Sequence, residues 1–349
     1  MRRVSRIAVA GVATATLTAA LAACGGTSND AADSGDGKSK GIALAYDVGG
    51  KGDQSFNDAA TAGMEKAASE FKYGSKAVEP TDGESDADKV QRLQTLAKAG
   101  YNPVVGVGYA YAPAVAEVAA KFPKTTFGIV DDETIDKKNV ADMVFHEEQS
   151  SYLAGVTAAL TTKSKTVGFV GGVDIPLIHK FEAGYKQGVA DTNPKVKVVS
   201  QFLTEKAEDG GFASPDKGKT AAEGQIEDGA DVVYHAAGLS GQGVIEAASA
   251  AKVWAIGVDS DQYSQDALKA YKQFILTSAT KDVAGAVYNL AKSVQDGKPE
   301  TGVVRASLKT GGVGLADSNP DFKADAKLQA ALKKATEGIN DGTIKVKTS

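Results

Sequence analysis

The sequence predicts an α/β protein of two Rossmann-like lobes, each built on a parallel sheet and joined by a hinge. Three observations carry this expectation. From Gly41 onward, short β-type runs alternate with helical patterns of about 10–15 residues, the layout of a parallel sheet with crossover helices. The clearest runs are GIALAYD (41–47), PVVGVG (103–108), TTFGIVD (125–131), TVGFVGG (166–172), DVVYHAAG (231–238) and VWAIGVD (253–259). Most are continuous apolar stretches, as strands covered on both faces must be. The series also restarts near residue 147, where HEEQSSYLAG leads into a second set that opens with a glycine-ended strand. Ligands bind outside the carboxyl ends of such strands, so a cleft between the two rows is the expected site.

The chain begins with Arg2, Arg3 and Arg6, no acid, and then an apolar run from Ile7 to Ala23, which is the layout of a secretory signal. A membrane span is the competing reading, but a run of 17 residues that includes Thr and Gly is short for a hydrocarbon core of about 30 Å. Leu21-Ala22-Ala23-Cys24-Gly25 resembles the lipobox of bacterial lipoproteins, and Cys24 is the only cysteine. The resemblance implies cleavage before Cys24, lipid on its sulfur, and a membrane anchor on the extracytoplasmic face, stable when more than one acyl chain is attached. No thiol then remains for disulfides, redox work or thiolate metal binding. Loss of the leader takes the net charge from -5 to -8, which argues against nucleic acid or anionic lipid as the main partner.

After the signal (1–23), Cys24 and the residues to 40 read as a lipidated, flexible tether without large apolar side chains. The remainder is long enough for two lobes. The expected division is 41–147 plus about 276–305 for the first lobe, 148–275 plus about 306–322 for the second, and 323–349 as a C-terminal helix and tail. In FNDAATAGMEKAASEF, Phe56, Ala60, Gly63, Ala67 and Phe71 form one apolar helical stripe, and Ser55 with Asp58 reads as a capping box that starts the helix at Phe56. Further helices are expected at 86–99, 112–121, 150–162, 179–191, 217–228, 241–251, 264–272, 281–296 and 326–337. No short fixed period recurs, which excludes a solenoid.

The most informative stretch is Asp47-Val-Gly-Gly-Lys-Gly-Asp-Gln-Ser-Phe-Asn57, which joins the first strand to its helix. Phe56 offers stacking area, Asn57 a donor and an acceptor, and ionised Asp47 acceptors only, a set suited to a nucleobase. A solvent loop with Phe56 tucked into the core is the plainer reading. Phosphate-loop and calcium-loop patterns are not met. Asp131 and Asp259 each end a strand, where a carboxylate can take N–H or hydroxyl donors or simply cap a turn. Phe181 lies on a helix stripe with Tyr185 and Val189 and suits core packing as well as a ligand. Gly238 opens GLSGQG, whose glycine order is not that of a dinucleotide fingerprint, so no cofactor is expected. Lys281 follows ILTSAT, where it could donate to a hydroxyl or stand in solvent. His146, His179 and His235 are too scattered for a zinc site, no G-x-S-x-G elbow is present, and neither catalytic nor metal-ligating residues are assigned.

D-x-G-G-x-x-D-x-S-F-N, an F-x-I-V-D strand end, E-E-Q-S-S-Y-L-A-G, a GG strand end before F-E-A-G-Y, A-A-G-x-S-G-x-G and G-V-D-S-D-Q follow one another along nearly the whole mature chain. In this order they resemble the basic-membrane-protein (PnrA-like) family of nucleoside-binding lipoproteins. The resemblance implies the type I periplasmic-binding-protein fold, a purine nucleoside ligand and a partner permease of an ABC transporter. It implies that Asp47, Asn57 and Asp131 bond the base, Phe56 and Phe181 sandwich it, and Gly238, Asp259 and Lys281 hold the ribose. The chain departs from the family at Leu239-Ser240, where Gly-Thr is common, and in Asp132, which doubles the acid at the base site. A monomer that closes on its ligand is expected. The alternatives are a sugar or polyol binder of the same fold, a nucleoside-processing enzyme, and the sensory core of a repressor. The last is disfavoured by a leader where a helix-turn-helix would stand.

Overall fold

The computed structural model describes residues 39–81 and 83–349. The leader, Cys24 and the tether to residue 38 lie outside the described residues. In chain order the elements are β1 (Lys40–Ala45), α1 (Phe56–Phe71), β2 (Gly74–Val78), α2 (Asp86–Lys98), β3 (Val104–Gly106), α3 (Ala112–Lys121), β4 (Phe127–Val130), β5 (Val140–Phe145), α4 (Glu147–Thr161), β6 (Thr166–Val173) and α5 (Pro176–Thr192). There follow β7 (Lys197–Thr204), α6 (Pro215–Glu227), β8 (Val232–Ala236), α7 (Gly241–Ala251), β9 (Trp254–Asp259), β10 (Ile275–Lys281), α8 (Val283–Gln295), β11 (Gly302–Ala306), β12 (Val313–Leu315), α9 (Pro320–Ala324) and α10 (Ala326–Asn340).

Two six-stranded sheets result, ordered β11-β5-β4-β3-β1-β2 and β12-β10-β9-β8-β6-β7. Every pairing is parallel except that of β12 with β10. The continuous apolar runs follow from helices on both faces. In β1, Ile42 and Leu44 pack with α1 and α8 residues such as Met64 and Leu290, while Ala43 and Ala45 pack with Leu93 of α2 and Val115 of α3. In the second sheet, Phe169 of β6 meets Ala158 of α4 and Tyr185 of α5 on one face. Val170 meets Ala222 of α6 and Val244 of α7 on the other.

The chain passes between the two sheets three times: from β5 into α4, from β10 into α8, and from β11 to β12. This corrects the expected division at one point. Residues 276–281 belong with the second sheet, because β10 pairs with β9 and β12, its small and β-branched side chains buried among them. The helix expected at 264–272 is also absent. Only Leu268 in that segment is buried, too little apolar surface to seat a helix, and short 3-10 turns over Gln262–Ser264, Asp266–Leu268 and Lys272–Phe274 take its place. Among the described residues, no helix is long and apolar enough to cross a membrane.

Candidate ligand-binding cleft

Each sheet has a point where the strand order reverses, between β1 and β3 in the first and between β6 and β8 in the second. Loops leaving strands on the two sides of such a point diverge and open a crevice. Asp47 follows β1, Gly108 and Tyr109 follow β3, and Asp131 follows β4; from the second sheet come Leu177, Ile178 and Phe181 at the start of α5, Gly238 after β8, and Asp259 and Lys281 at the ends of β9 and β10. With Phe56 and Asn57 from the first turn of α1, they line one cavity, which holds about 530 Å³ of empty space including its mouth. All eight residues singled out in the sequence, Asp47, Phe56, Asn57, Asp131, Phe181, Gly238, Asp259 and Lys281, stand in its wall.

The glycine-rich loop between β1 and α1 is held by carboxylates, although not as the sequence suggests. Ser55 makes no capping bond to α1; its hydroxyl donates to Asp259 Oδ2 at 2.6 Å, across to the second sheet. Asp53 caps instead, accepting from the backbone N–H groups of Ser55 (3.0 Å), Asn57 (2.8 Å) and Asp58 (3.1 Å). Asp58 turns back to accept from Gly52 and Gln54. Two carboxylate oxygens can take several N–H donors at once, which one hydroxyl cannot, and a negative charge suits the start of a helix. Burial pushes the Asp53 carboxyl up to about 6 despite these bonds. Asn57 Oδ1 accepts from the Asp47 N–H at 3.0 Å, so the amide is oriented with its NH₂ as the remaining group.

Lys281 forms the floor. Only 3% exposed, its ammonium donates to Asp131 Oδ2 at 2.7 Å and lies 3.8 Å from Asp259 Oδ1. Burial alone would lower this ammonium, but Asp131, Asp259 and Glu147 outweigh it and hold the group above its ordinary value. Asp131 (φ 67°) and Asp259 (φ 61°) both adopt the left-handed region, a strained turn that Asp tolerates better than most residues. Each keeps one buried oxygen, Oδ1, without a hydrogen-bond partner. Buried polar atoms left in this way are uncommon and suit a site that expects a donor. Burial also raises Asp259, against the pull of Lys281 and Ser55.

The Lys281 ammonium lies 4.7 Å from the Phe56 ring centre and 5.5 Å from that of Phe181. The two rings belong to opposite lobes, and their centres stand no further apart than those two distances combined. Both rings therefore meet at one part of the cleft, one from each lobe, with the Phe145 ring centre also 5.5 Å from the same ammonium. Phe181 also packs in the core of its own lobe, so its two readings hold together. The lobes are tied directly as well: Gln242 donates to Gly52 O (3.0 Å), Gln262 to Gln54 O (3.2 Å) and Ser260 to Ser55 O (2.9 Å).

Asp47 differs from the other acids of the wall. Burial pushes its carboxyl up to about 7, with the Val48 N–H and Lys89 opposing and Asp131 and Asp53 reinforcing. Its Oδ2 rests on the backbone of Gly108 (φ 101°), where a Cβ would come within 2.4 Å. Glu147, 1% exposed behind Lys281, is likewise raised by burial, with Lys281 pulling it down and Asp131 adding to the rise; Lys180 is 3.9 Å away. His235 is held down to about 4 by burial, with Nε2 against Gln262 Oε1 at 2.9 Å, a structural role rather than a cleft-facing one. Among the described residues there is no group of three or more His, Cys, Asp or Glu side chains placed to hold a metal.

Several wall residues escape the sequence reading. Asp53 was within the motif, and its place just before the helix start, where free first-turn N–H groups need an acceptor, was the available signal. Phe212 lies in the irregular stretch between β7 and α6 and reaches the cleft beside Gly238, with no periodicity to mark it. Gly108 and Tyr109 follow a strand end, a position that itself marks a site.

Two mainly parallel sheets whose carboxyl ends face one crevice are the layout of a protein that holds a small solute between two lobes. Similar proteins narrow this. The family model described as "ABC transporter substrate-binding protein PnrA-like" matches residues 41–349, and the chain belongs to that family. A relative from Lactococcus lactis subsp. cremoris, named ABC transporter nucleoside-binding protein BmpA, is 36% identical over 97% of this chain and 98% of its own. An uncharacterized lipoprotein of Pyrococcus horikoshii is 33% identical over 92% of this chain and 80% of its own. The crystal structure of an ABC transporter solute-binding protein from Aeropyrum pernix is 28% identical, covers 89% of this chain and 94% of its own, and superposes with a TM-score of 0.76. The protein is thus a substrate-binding component of an ABC transporter, in a family of solute-binding proteins and not of enzymes.

Proposed function

We propose that the protein captures purine nucleosides of the guanosine, adenosine and inosine type and presents them to the permease of its transporter, anchored outside the cell membrane by lipid on Cys24. The observation that carries the ligand class is the pair Phe56 and Phe181, on opposite lobes, converging on one Lys281 ammonium. Aromatic surface offered by both lobes at one point suits a flat ligand such as a nucleobase. In this reading Asp47, Asn57 and Asp131 bond the base edge, while Gly238, Asp259 and Lys281 hold the ribose hydroxyls. The orphaned oxygens of Asp131 and Asp259 are then satisfied by ligand donors. The name of the Lactococcus relative and the lipoprotein name of the Pyrococcus relative support ligand class and anchoring respectively. Ligand that bridges the lobes favours the closed state, and the permease reads the difference.

Calorimetric titration of the protein, unfolded, stripped and refolded, with guanosine, adenosine, inosine, uridine and ribose tests the reading. Saturable binding of the purine nucleosides alone is the expected result. Binding of ribose alone would point to a sugar binder, and release of free base during incubation would point to an enzyme; either outcome overturns the reading.

A further inference from the structure

Of the four acids in the cleft wall, Asp131 and Asp259 meet Lys281 and Asp53 caps α1, while Asp47 does neither. Among the described residues, no cation lies within ion-pairing distance of it, and the nearest ammonium in the cleft, Lys281, is engaged by Asp131 and Asp259. The groups that face Asp47 are Asp53 on its own loop, Asp131 after β4, Lys89 on α2, and the phenols of Tyr109 and Tyr111 after β3. The phenols are neutral, since burial pushes both above their ordinary value. Two acids thus stand against one lysine, and the Gly108 backbone covers one face of the carboxyl. Beside it, Asn57 Oδ1 accepts from the Asp47 N–H and its NH₂ donates to Val48 O at 3.5 Å, which fixes the orientation of the amide, and an amide cannot change its protonation. Any change between donor and acceptor on this side of the cleft falls to Asp47.

The two purine types demand such a change. A 6-oxopurine presents a ring N–H at position 1, which a carboxylate accepts. A 6-aminopurine presents a bare ring nitrogen there beside an NH₂ group, and a carboxylate repels the one while accepting from the other. A carboxylic acid matches both, donating its O–H to the ring nitrogen and accepting from the amine.

We propose that Asp47 reads both purine types by changing its protonation, binding 6-oxopurine nucleosides as the carboxylate and 6-aminopurine nucleosides as the acid, with one proton taken from solvent. The inference rests on the purine reading given above. A carboxyl that titrates near 7 has both forms at hand at neutral pH.

The test is calorimetric titration of the purified protein with adenosine and with inosine from pH 5.5 to 8, in phosphate and in Tris, whose different ionisation heats reveal proton uptake. Adenosine affinity should fall up to tenfold per pH unit above 7, with close to one proton taken up at pH 8. Inosine affinity should hold there and fall below pH 7. In Asp47→Asn, whose amide donates and accepts at every pH, the two profiles should lose their divergence and adenosine should take up no proton. Superimposable profiles for the two nucleosides in the unaltered protein, with equal proton counts, would overturn the proposal and leave the nucleoside reading standing. Failure of both nucleosides to bind at any pH would overturn the nucleoside reading itself, and this inference with it.

Discussion

Replacing Lys281 by methionine removes the one cation that lines the cleft among the described residues while keeping most of the side-chain volume. At an effective dielectric constant of about 20, an ammonium 2.7 Å from one carboxylate and 3.8 Å from another gains roughly 6 and 4 kcal/mol. Desolvation of the three groups takes back several kcal/mol for each. The truncation nevertheless costs more than the net worth of the pair, because Asp131 and Asp259 are left buried against each other with Glu147 behind them. Breaking buried pairs in this way costs about 3–5 kcal/mol. Urea unfolding of ligand-free protein at pH 7 should show that loss as a lower midpoint at unchanged slope. Adding Asp131→Asn to the Lys281→Met protein removes one of the stranded charges and should return about 1–3 kcal/mol. A loss below about 1 kcal/mol for Lys281→Met, or no recovery in the double variant, would refute the account of the floor.

Other expectations concern pH, the loops and the contacts between lobes. Asp47 and Glu147 have folded values raised above their unfolded ones, so the folded chain holds protons that the unfolded chain has released, and the stability they contribute is lost as pH rises towards and through those folded values. His235, whose folded value is depressed, opposes this only below about 6.5. Thermal melts should therefore show stability falling from pH 6.5 to 8, with a smaller fall in Asp47→Asn; a rise over that range would contradict the assignment. Gly108→Ala places a Cβ 2.4 Å from Asp47 Oδ2 at a φ of 101°, and denaturation should show a loss of about 1–3 kcal/mol. Gln242→Ala removes a bond between lobes worth about 0.5–1.5 kcal/mol, and small-angle scattering of ligand-free protein should show a larger radius, with affinity reduced several-fold. An unchanged radius and affinity would mean that this bond does not hold the lobes together.

How much was legible depended on whether a feature announced itself locally. The strands at 41–47, 125–131 and 253–259 were readable because each is buried on both faces, and their terminal acids were readable because a polar residue closing such a run has few structural reasons to be there. β11 was not, since it is an edge strand with Val303 52% exposed, and β12 has only three residues. The Ser55–Asp58 box failed for a tertiary reason: Asp259 lies 204 residues away in sequence and competes for the Ser55 hydroxyl, which no local pattern can reveal. Phe212 failed for a related one, since it is positioned by the second sheet and not by its own loop. The pairing of Lys281 with Asp131 likewise joins residues from different lobes, and only assembly brings them within reach.

The threefold passage of the chain between the sheets governs the order in which the molecule can be assembled. The first sheet lacks its edge strand until Ala306 has been synthesised, and one of its faces is covered by α1 alone until α8 is complete, by which time almost all of the second sheet already exists. A nascent chain cannot finish its first half and set it aside, and no single cut yields either half intact. Completion is deferred to the last quarter of translation, so neither lobe can finish folding as a separate unit while most of the chain is being made.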